Sequence, residues 1–203
     1  GRMDWENFSA IVGWENIKVS SVVSEANLPF EGKSIAAIAA MRGNDDPADA
    51  ALDLLVEENL AVGMINFGLS EPDVVEIMQS PTVSFITDGL LGGKMPHPRT
   101  YGTCPRILGR YVREQQVISW EEAVRKMTSL PAQKLRLKTK GFLAENYDAD
   151  VVVFDPATVM DRSTYEDPRQ YPAGIDWVLV NGSVVVENGK HSGERPGRTI
   201  RSR

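Results

Sequence analysis

Asp88 is the residue whose position in this sequence most directly suggests chemistry. It follows a short apolar, β-branched segment, residues 83–87, and it precedes Gly89 and a long loop rich in glycine and proline. In parallel α/β folds, catalytic groups stand at the carboxyl ends of the strands. Asp88 is therefore a candidate metal ligand or general base. The alternative that Asp88 only turns the chain stays open, since Asp-Gly is a common turn pair.

The loop after Asp88 carries a second group of polar side chains, His97, Arg99 and Tyr101. A guanidinium can hold a carboxylate through two hydrogen bonds, and a tyrosine hydroxyl can add a donor, so these residues could bind a substrate anion. Arg99 could instead pair with a structural carboxylate, and a single histidine is more often structural than a metal ligand. The sequence has only two histidines and one cysteine, which excludes most sites that need several such ligands.

The composition is that of a globular protein and argues against binding to nucleic acid or to membranes. The chain has 203 residues and a net charge of −6, whereas neutralising phosphates requires clustered Lys and Arg. No apolar run approaches the roughly 20 residues of a membrane span, and the first residues lack a signal-peptide pattern. One cysteine excludes an internal disulfide. These patterns predict a cytoplasmic protein that binds neither nucleic acid nor membrane.

Patterns of apolar residues predict a βα region followed by a small all-β region. Apolar, β-branched runs predict strands at residues 17–23, 61–67 and 83–87. Cap signals such as Asp46-Pro47 start helices between them, and this alternation favours a parallel sheet covered by helices. Beyond residue 141 the pattern is one of short strands, and Asn181-Gly182 is a preferred pair for a type I′ hairpin turn.

Five runs of sequence carry a resemblance to a known family. They are Thr-Asp-Gly at 87–89, His-Pro-Arg-Thr-Tyr-Gly-Thr at 97–103 with Pro-Arg-Ile-Leu-Gly-Arg-Tyr-Val-Arg at 105–113, Glu-Glu-Ala-Val-Arg-Lys-Met-Thr-Ser-Leu-Pro-Ala at 121–132, and Ala-Asp-Val-Val-Val-Phe-Asp-Pro-Ala-Thr-Val at 149–159. These runs resemble the N-acyl-D-amino-acid deacylases, the D-aminoacylases of the metal-dependent amidohydrolase superfamily. The resemblance covers nearly all of the chain and is most specific between Asp88 and Gly182.

The resemblance implies an α/β fold, the C-terminal part of an amidohydrolase (β/α)8 barrel followed by a small β-sandwich segment. Residues 1–135 would form the partial barrel, including an insertion before its last strand, and residues 136–203 would form the sandwich segment. Residues 83–87 would be the eighth barrel strand.

The same resemblance assigns roles to the candidate residues. Asp88 would contact the metal and act as general base on the zinc-bound water, then as acid toward the leaving amine. Arg99 would hold the α-carboxylate of the N-acyl-D-amino acid, with His97 and Tyr101 also binding substrate. The family's His-x-His pair, bridging Cys or carboxylate and two further histidines have no counterpart here. Since zinc needs three or four protein ligands, we expect this chain alone to bind no stoichiometric zinc and to be inactive.

The function implied is that of a zinc-dependent deacylase, of which this chain would be the C-terminal portion. Such an enzyme hydrolyses N-acyl-D-amino acids to a carboxylate and a free D-amino acid. Two alternatives stay open: a cyclic amidase of the dihydroorotase or hydantoinase type, and a non-catalytic interaction or assembly module that lost the metal site. Because a partial barrel leaves strand edges and apolar faces uncovered, we also expect self-association.

Overall fold

The computed structural model describes residues 7–91 and 95–200, which form two compact units. The first unit contains the described residues of 1–71, 89–100 and 164–168, and the second those of 72–88, 101–163 and 169–203. These units group residues by their contacts within this chain. The division at residue 135 into a barrel part and a sandwich segment stays a prediction.

The first unit combines short helices with a two-stranded sheet. Its helices and strands are α1 (Phe8–Val12), β1 (Ile17–Ser21), α2 (Ile35–Arg42), α3 (Pro47–Glu57) and β2 (Gly63–Asn66), with 3-10 turns at Trp14–Asn16 and Glu25–Phe30. The predicted start of α3 is confirmed: the Asp46 carboxylate accepts a hydrogen bond of 2.8 Å from the Ala48 N–H, and Pro47 is the first helical residue. This cap satisfies a backbone donor that the helix itself cannot.

One apolar core joins α2, α3 and β1. Val19, Ile38 and Leu54 are each at most 1% exposed and lie at its centre. Ile38 comes from the face of α2 that its apolar spacing predicts to be buried. In α3 the spacing of Leu52, Leu55 and Val56 predicts the buried face, and this prediction is wrong, because Leu52 and Val56 are exposed and Leu54 is buried instead. The core of this unit is thus built mainly by the helices packing on β1.

The second unit contains the remaining helices and a four-stranded antiparallel sheet. Its elements are α4 (Glu71–Gln79), α5 (Arg99–Arg106), a π-helical continuation (Ile107–Glu114), α6 (Trp120–Met127), α7 (Ser129–Lys134), β3 (Val151–Phe154), β4 (Ile175–Val180), β5 (Ser183–Glu187) and β6 (Lys190–His191); α4 and α5 each begin in the first unit. The strands lie in the order β3-β4-β5-β6. The predicted hairpin turn is confirmed, since Asn181 and Gly182 join β4 to β5 with φ of 48° and 81°.

The π-helical segment forms the centre of the second core. Its residues Ile107, Leu108 and Val112 are buried together with Ala123 of α6 and with Val159. Helix α6 therefore shares this core with the π-helical segment that continues α5. None of the helices in the described residues is long and apolar enough to cross a membrane.

Two predictions about strand pairing are wrong for the described residues. The expected parallel sheet is absent from them, because β1 and β2 are antiparallel, with Ile17 opposite Asn66. Residues 83–87 form no strand, and the Phe85 N–H instead donates to the Lys126 carbonyl at 3.1 Å. A strand is defined by hydrogen bonds to a neighbouring strand, and an apolar run does not specify whether that neighbour exists within the same chain.

Candidate functional site

Asp88 ends a segment, residues 83–88, that forms neither helix nor strand and belongs to the second unit. It is exposed, and its φ of +43° lies in the left-handed region, which aspartate tolerates better than most residues. The chain therefore turns sharply at this residue.

His97 lies half-buried in the first unit and uses both ring nitrogens. Nδ1 accepts a hydrogen bond of 3.0 Å from the Arg99 N–H, and Nε2 lies 3.5 Å from the Tyr165 hydroxyl. Since Nδ1 is an acceptor, the neutral ring carries its proton on Nε2, facing Tyr165. Burial lowers the pKa of His97, and the positive charge of Arg99 lowers it further. Both effects favour the neutral imidazole.

Aromatic packing holds the His97 ring in place. Tyr165 meets it edge-on at 5.2 Å between ring centroids and packs on Phe67 at 4.8 Å. The ammonium of Lys18, in β1, lies 5.2 Å from the centroid of Phe67. The imidazole is therefore fixed by Tyr165, which packs on Phe67, and Phe67 in turn contacts Lys18 of the two-stranded sheet.

Arg99 is the first residue of α5, and its backbone is held by His97. The first N–H groups of a helix have no partner within the helix, and here the imidazole Nδ1 accepts the one from Arg99. The His97 carbonyl accepts the next, from Thr100, at 3.0 Å. Arg99 is exposed, and His97 fixes its backbone position.

Tyr101 is half-buried in the second unit, and its hydroxyl accepts a hydrogen bond of 3.4 Å from Arg169. The predicted site residues thus fall into two groups. His97 and Arg99 are brought together in the first unit, whereas Asp88 and Tyr101 belong to the second.

The donor set of the described residues does not fit a complete zinc centre. Within residues 7–91 and 95–200, no group of three or more His, Cys, Asp or Glu side chains is arranged to hold a metal ion. Protein zinc sites use three or four such ligands, and Asp88 by itself supplies one. The described residues would therefore need ligands from elsewhere to hold zinc.

Two residues that bear on the site were not identified from the sequence. Tyr165 contacts His97 across 68 positions of sequence, and no local pattern links the two. Lys126 is completely buried in α6, beside the segment that ends in Asp88. Its position three residues after Ala123 on the apolar face of a helix could have indicated that it is buried, but not which carbonyl groups it binds.

Comparison with known proteins identifies a family and close relatives. Residues 18–186 match the model of a family described as the amidohydrolase family. The chain is 44% identical over 170 residues to an N-acyl-D-glutamate deacylase of Alcaligenes xylosoxydans xylosoxydans, covering 84% of this chain and 33% of the relative. It is 40% identical over 171 residues to a D-aminoacylase of the same organism, covering 84% and 34%. The chain therefore spans about a third of the length of these relatives.

Solved structures give the same result. A D-aminoacylase studied for its binuclear metal center superposes with a TM-score of 0.86 at 36% identity, over 95% of this chain and 39% of that protein. An N-acyl-D-glutamate deacylase from Bordetella bronchiseptica, complexed with zinc and a phosphonate inhibitor, gives a TM-score of 0.80 at 35% identity, over 97% and 38%. These matches confirm the resemblance to D-aminoacylases and an amidohydrolase α/β fold.

Proposed function

The chain belongs to the amidohydrolase family, and we propose that it is the C-terminal portion of a zinc-dependent deacylase acting on N-acyl-D-amino acids. The observation that carries this proposal is the extent of the family match, residues 18–186, which includes Asp88, His97, Arg99 and Tyr101. The reaction would split the amide into a carboxylate and a free D-amino acid.

We also propose the barrel and sandwich arrangement for this portion. Residues 83–87 pair with no strand among the described residues and lead into the exposed Asp88, which suits a barrel strand whose neighbours lie outside the described residues. The antiparallel sheet of β3 to β6 suits the sandwich segment. Residues 1–135 would then belong to the barrel and residues 136–203 to the sandwich.

Arg99 would bind the α-carboxylate of the substrate. A guanidinium can form two charge-assisted hydrogen bonds with a carboxylate, which fixes the orientation of the substrate as well as its position. Its exposed position and its backbone, held by the His97 ring, suit this role. His97 would contribute mainly by this anchoring, and the Tyr101 hydroxyl would be a further donor to the substrate.

Asp88 would transfer protons in the reaction. As the water oxygen attacks the amide carbon, the Asp88 carboxylate takes one proton from the water. It then gives that proton to the nitrogen as the carbon–nitrogen bond breaks, which releases the free amine. Zinc, when bound, would lower the pKa of this water. In this proposal the zinc ligands other than Asp88 come from the part of the relatives that this chain does not match.

The first experiment is to determine the mass of the native polypeptide that contains residues 101–113, and to assay it on substrate pairs. We expect a mass well above 22.4 kDa, and turnover of N-acyl-D-amino acids but not of their L-enantiomers.

Asp88→Asn should lower kcat by about 100-fold or more, because general acid–base groups contribute roughly that much. Turnover of cyclic amides alone would support the cyclic amidase, and a native mass near 22.4 kDa without turnover would support the non-catalytic module.

For the 203-residue chain by itself we propose no deacylase activity and no stoichiometric zinc. Metal analysis of the purified chain after incubation with zinc tests this directly. Tight binding of zinc together with turnover would overturn it. We further propose a cytoplasmic location, which fractionation of the source cells tests.

Self-association of the isolated chain is also proposed. Leu52 and Val56, one turn apart on α3, are 61% and 76% exposed, and such an apolar stripe favours burial against another copy. In sedimentation velocity, the fraction of dimer should increase with protein concentration. The double variant Leu52→Glu with Val56→Glu should lower this fraction. A monomer at all concentrations would contradict this expectation.

A further inference from the structure

Three cationic side chains from α6 and α7 hold the turn that leads into the Asp88 segment. Arg125, Lys126 and Lys134 donate hydrogen bonds to backbone carbonyl groups within residues 78–82. We call these three side chains the carbonyl clamp. All of these groups belong to the second unit.

Lys126 is the buried member of the carbonyl clamp. Its side chain is completely inaccessible, and Nζ donates to the Met78 carbonyl at 2.7 Å and also to the Ser80 carbonyl. The carboxylate of Glu122 lies 3.8 Å away, and the ring centroid of Phe85 lies 5.6 Å away. Burial lowers the pKa of Lys126, while the charge of Glu122 opposes this effect. A buried ammonium is costly unless it is bonded in this way.

The other two members bind the next carbonyl groups along the chain. Arg125 Nη2 donates to the Pro81 carbonyl at 2.7 Å, and Lys134 Nζ donates to the Thr82 carbonyl. The guanidinium of Arg125 is itself oriented by two hydrogen bonds of 2.7 Å to the Glu122 carboxylate. Carbonyl groups 78, 80, 81 and 82 therefore each accept a bond from a cation.

Lys126 also fixes the segment beyond the turn, through its backbone. Its carbonyl accepts the hydrogen bond of 3.1 Å from the Phe85 N–H. Asp88 follows Phe85 by three residues, which span at most about 10 Å when fully extended. Fixing Phe85 therefore restricts where the Asp88 carboxylate can lie.

We propose that Lys126 is a positioning residue for Asp88, acting through the turn and segment that it binds, with Arg125 and Lys134 in support. A methionine side chain has a similar volume and could fill the same space. It has no donor for the Met78 and Ser80 carbonyl groups, so both would lose this hydrogen bond. The proposal rests on the proposed function, in which Asp88 transfers protons.

Hydrogen exchange in the 203-residue chain tests whether Lys126 fixes the segment. Lys126→Met keeps the volume and removes the donors, and Lys138→Met, at an exposed lysine, is the matched control. We expect the Phe85 amide to exchange about tenfold faster in Lys126→Met relative to the buried Val112 amide, because each bond to a charged group contributes about this factor. The control should change neither amide. Equal acceleration of Phe85 and Val112, or none, would overturn the proposal.

If Lys126→Met does not fold, a second pair of variants tests whether the carbonyl clamp fixes the turn. Arg125→Met and Lys134→Met each remove one bond to the turn and leave the buried lysine in place. The Val83 N–H, which donates to the Ser80 carbonyl at 3.3 Å, reports on the turn itself. Faster exchange at Val83 and Phe85 than at Val112 in either variant would support the proposal, and unchanged exchange in both would overturn it.

Kinetics of the native polypeptide test the link to Asp88. Lys126→Met should lower kcat about tenfold or more and leave KM within about twofold, because a displaced proton-transfer group affects the chemical step more than substrate binding. An active enzyme whose kcat is unchanged in this variant would overturn the positioning role. If the unsubstituted polypeptide lacks deacylase activity, the proposed function fails, while hydrogen exchange still decides whether Lys126 fixes the segment.

Discussion

The hydroxyl of Tyr165 lies 3.5 Å from Nε2 of His97, on the opposite side of the ring from the nitrogen that accepts the Arg99 N–H. The imidazole therefore links residues 164–168 to the first residue of α5. A protonated imidazole has donors at both nitrogens and no acceptor for Arg99. The arrangement thus requires neutral His97, which agrees with its lowered pKa.

This requirement predicts how stability depends on pH. Because the pKa of His97 is lowered in the folded state, the unfolded state takes up a proton first as the pH falls below the ordinary value of 6.5. The free energy of unfolding should therefore decrease as the pH drops through 6.5, and level off below the folded-state pKa. Urea unfolding at pH values between about 7 and 5 measures this, and His97→Gln should flatten the dependence. Identical pH profiles for the two proteins would contradict the prediction.

The buried carboxylate of Glu58 predicts a second pH dependence, at lower pH. It accepts hydrogen bonds from the Ser24 hydroxyl, from the Asn27 amide at 2.7 Å and from the Val23 N–H at 2.6 Å. These bonds, that of Ser24 first, lower the pKa of Glu58 from 4.5 to about 2. The stabilisation should be complete above pH 4.5 and lost as the pH falls toward 2.

Acid unfolding followed by circular dichroism tests this contribution of Glu58. Glu58→Gln should be less stable at neutral pH and lose stability less steeply below pH 4.5, because its amide no longer titrates. Glu25→Gln, at an exposed position of the same unit, is the matched control and should behave as the unsubstituted chain does. If both variants followed the same acid profile, Glu58 would not carry the predicted dependence.

Features set by neighbouring residues could be predicted from the sequence. Asp46 with Pro47 starts α3, and Asn181 with Gly182 turns the β4–β5 hairpin, because capping and turn conformations depend on adjacent side chains. The pairing of residues 83–87 could not be predicted in the same way. Their apolar pattern specifies an extended segment, while its hydrogen-bond partner, the Lys126 carbonyl, depends on the whole fold.

The residues of the candidate site show the same difference between local features and long-range contacts. Asp88 and Arg99 were identified because a carboxylate after an apolar run and an arginine in a polar loop are local features, and their roles remain proposals. Tyr165 and Lys126 were missed, since their importance lies in contacts with residues 68 and 46 to 48 positions away. Positioning contacts of this kind become visible only when the chain is folded.

The core of the first unit predicts a large difference between two leucines of α3. Leu54 is 1% exposed, whereas Leu52 is 61% exposed. Leu54→Ala should lower the free energy of unfolding by about 3 kcal/mol, through lost burial and the cavity that remains. Leu52→Ala should change it by less than about 0.5 kcal/mol, since both residues are good helix formers. Denaturant unfolding of both variants measures the difference, and equal losses would show that α3 does not bury Leu54 as described.

The proposed role of Arg99 makes a prediction about the substrate, to be measured on the native polypeptide. Arg99→Met should raise KM for an N-acyl-D-amino acid by about 10- to 100-fold, because a hydrogen-bonded charge contact is lost. For an analogue whose α-carboxylate is replaced by a carboxamide, Arg99→Met and the unsubstituted enzyme should have nearly the same KM. Arg99→Lys should have an intermediate KM, since lysine keeps the charge but cannot form the paired hydrogen bonds.

Arg162→Met, at an exposed arginine, is the control and should leave KM unchanged. Equal losses on the carboxylate and the carboxamide would show that Arg99 supports the fold of the loop and does not bind the carboxylate.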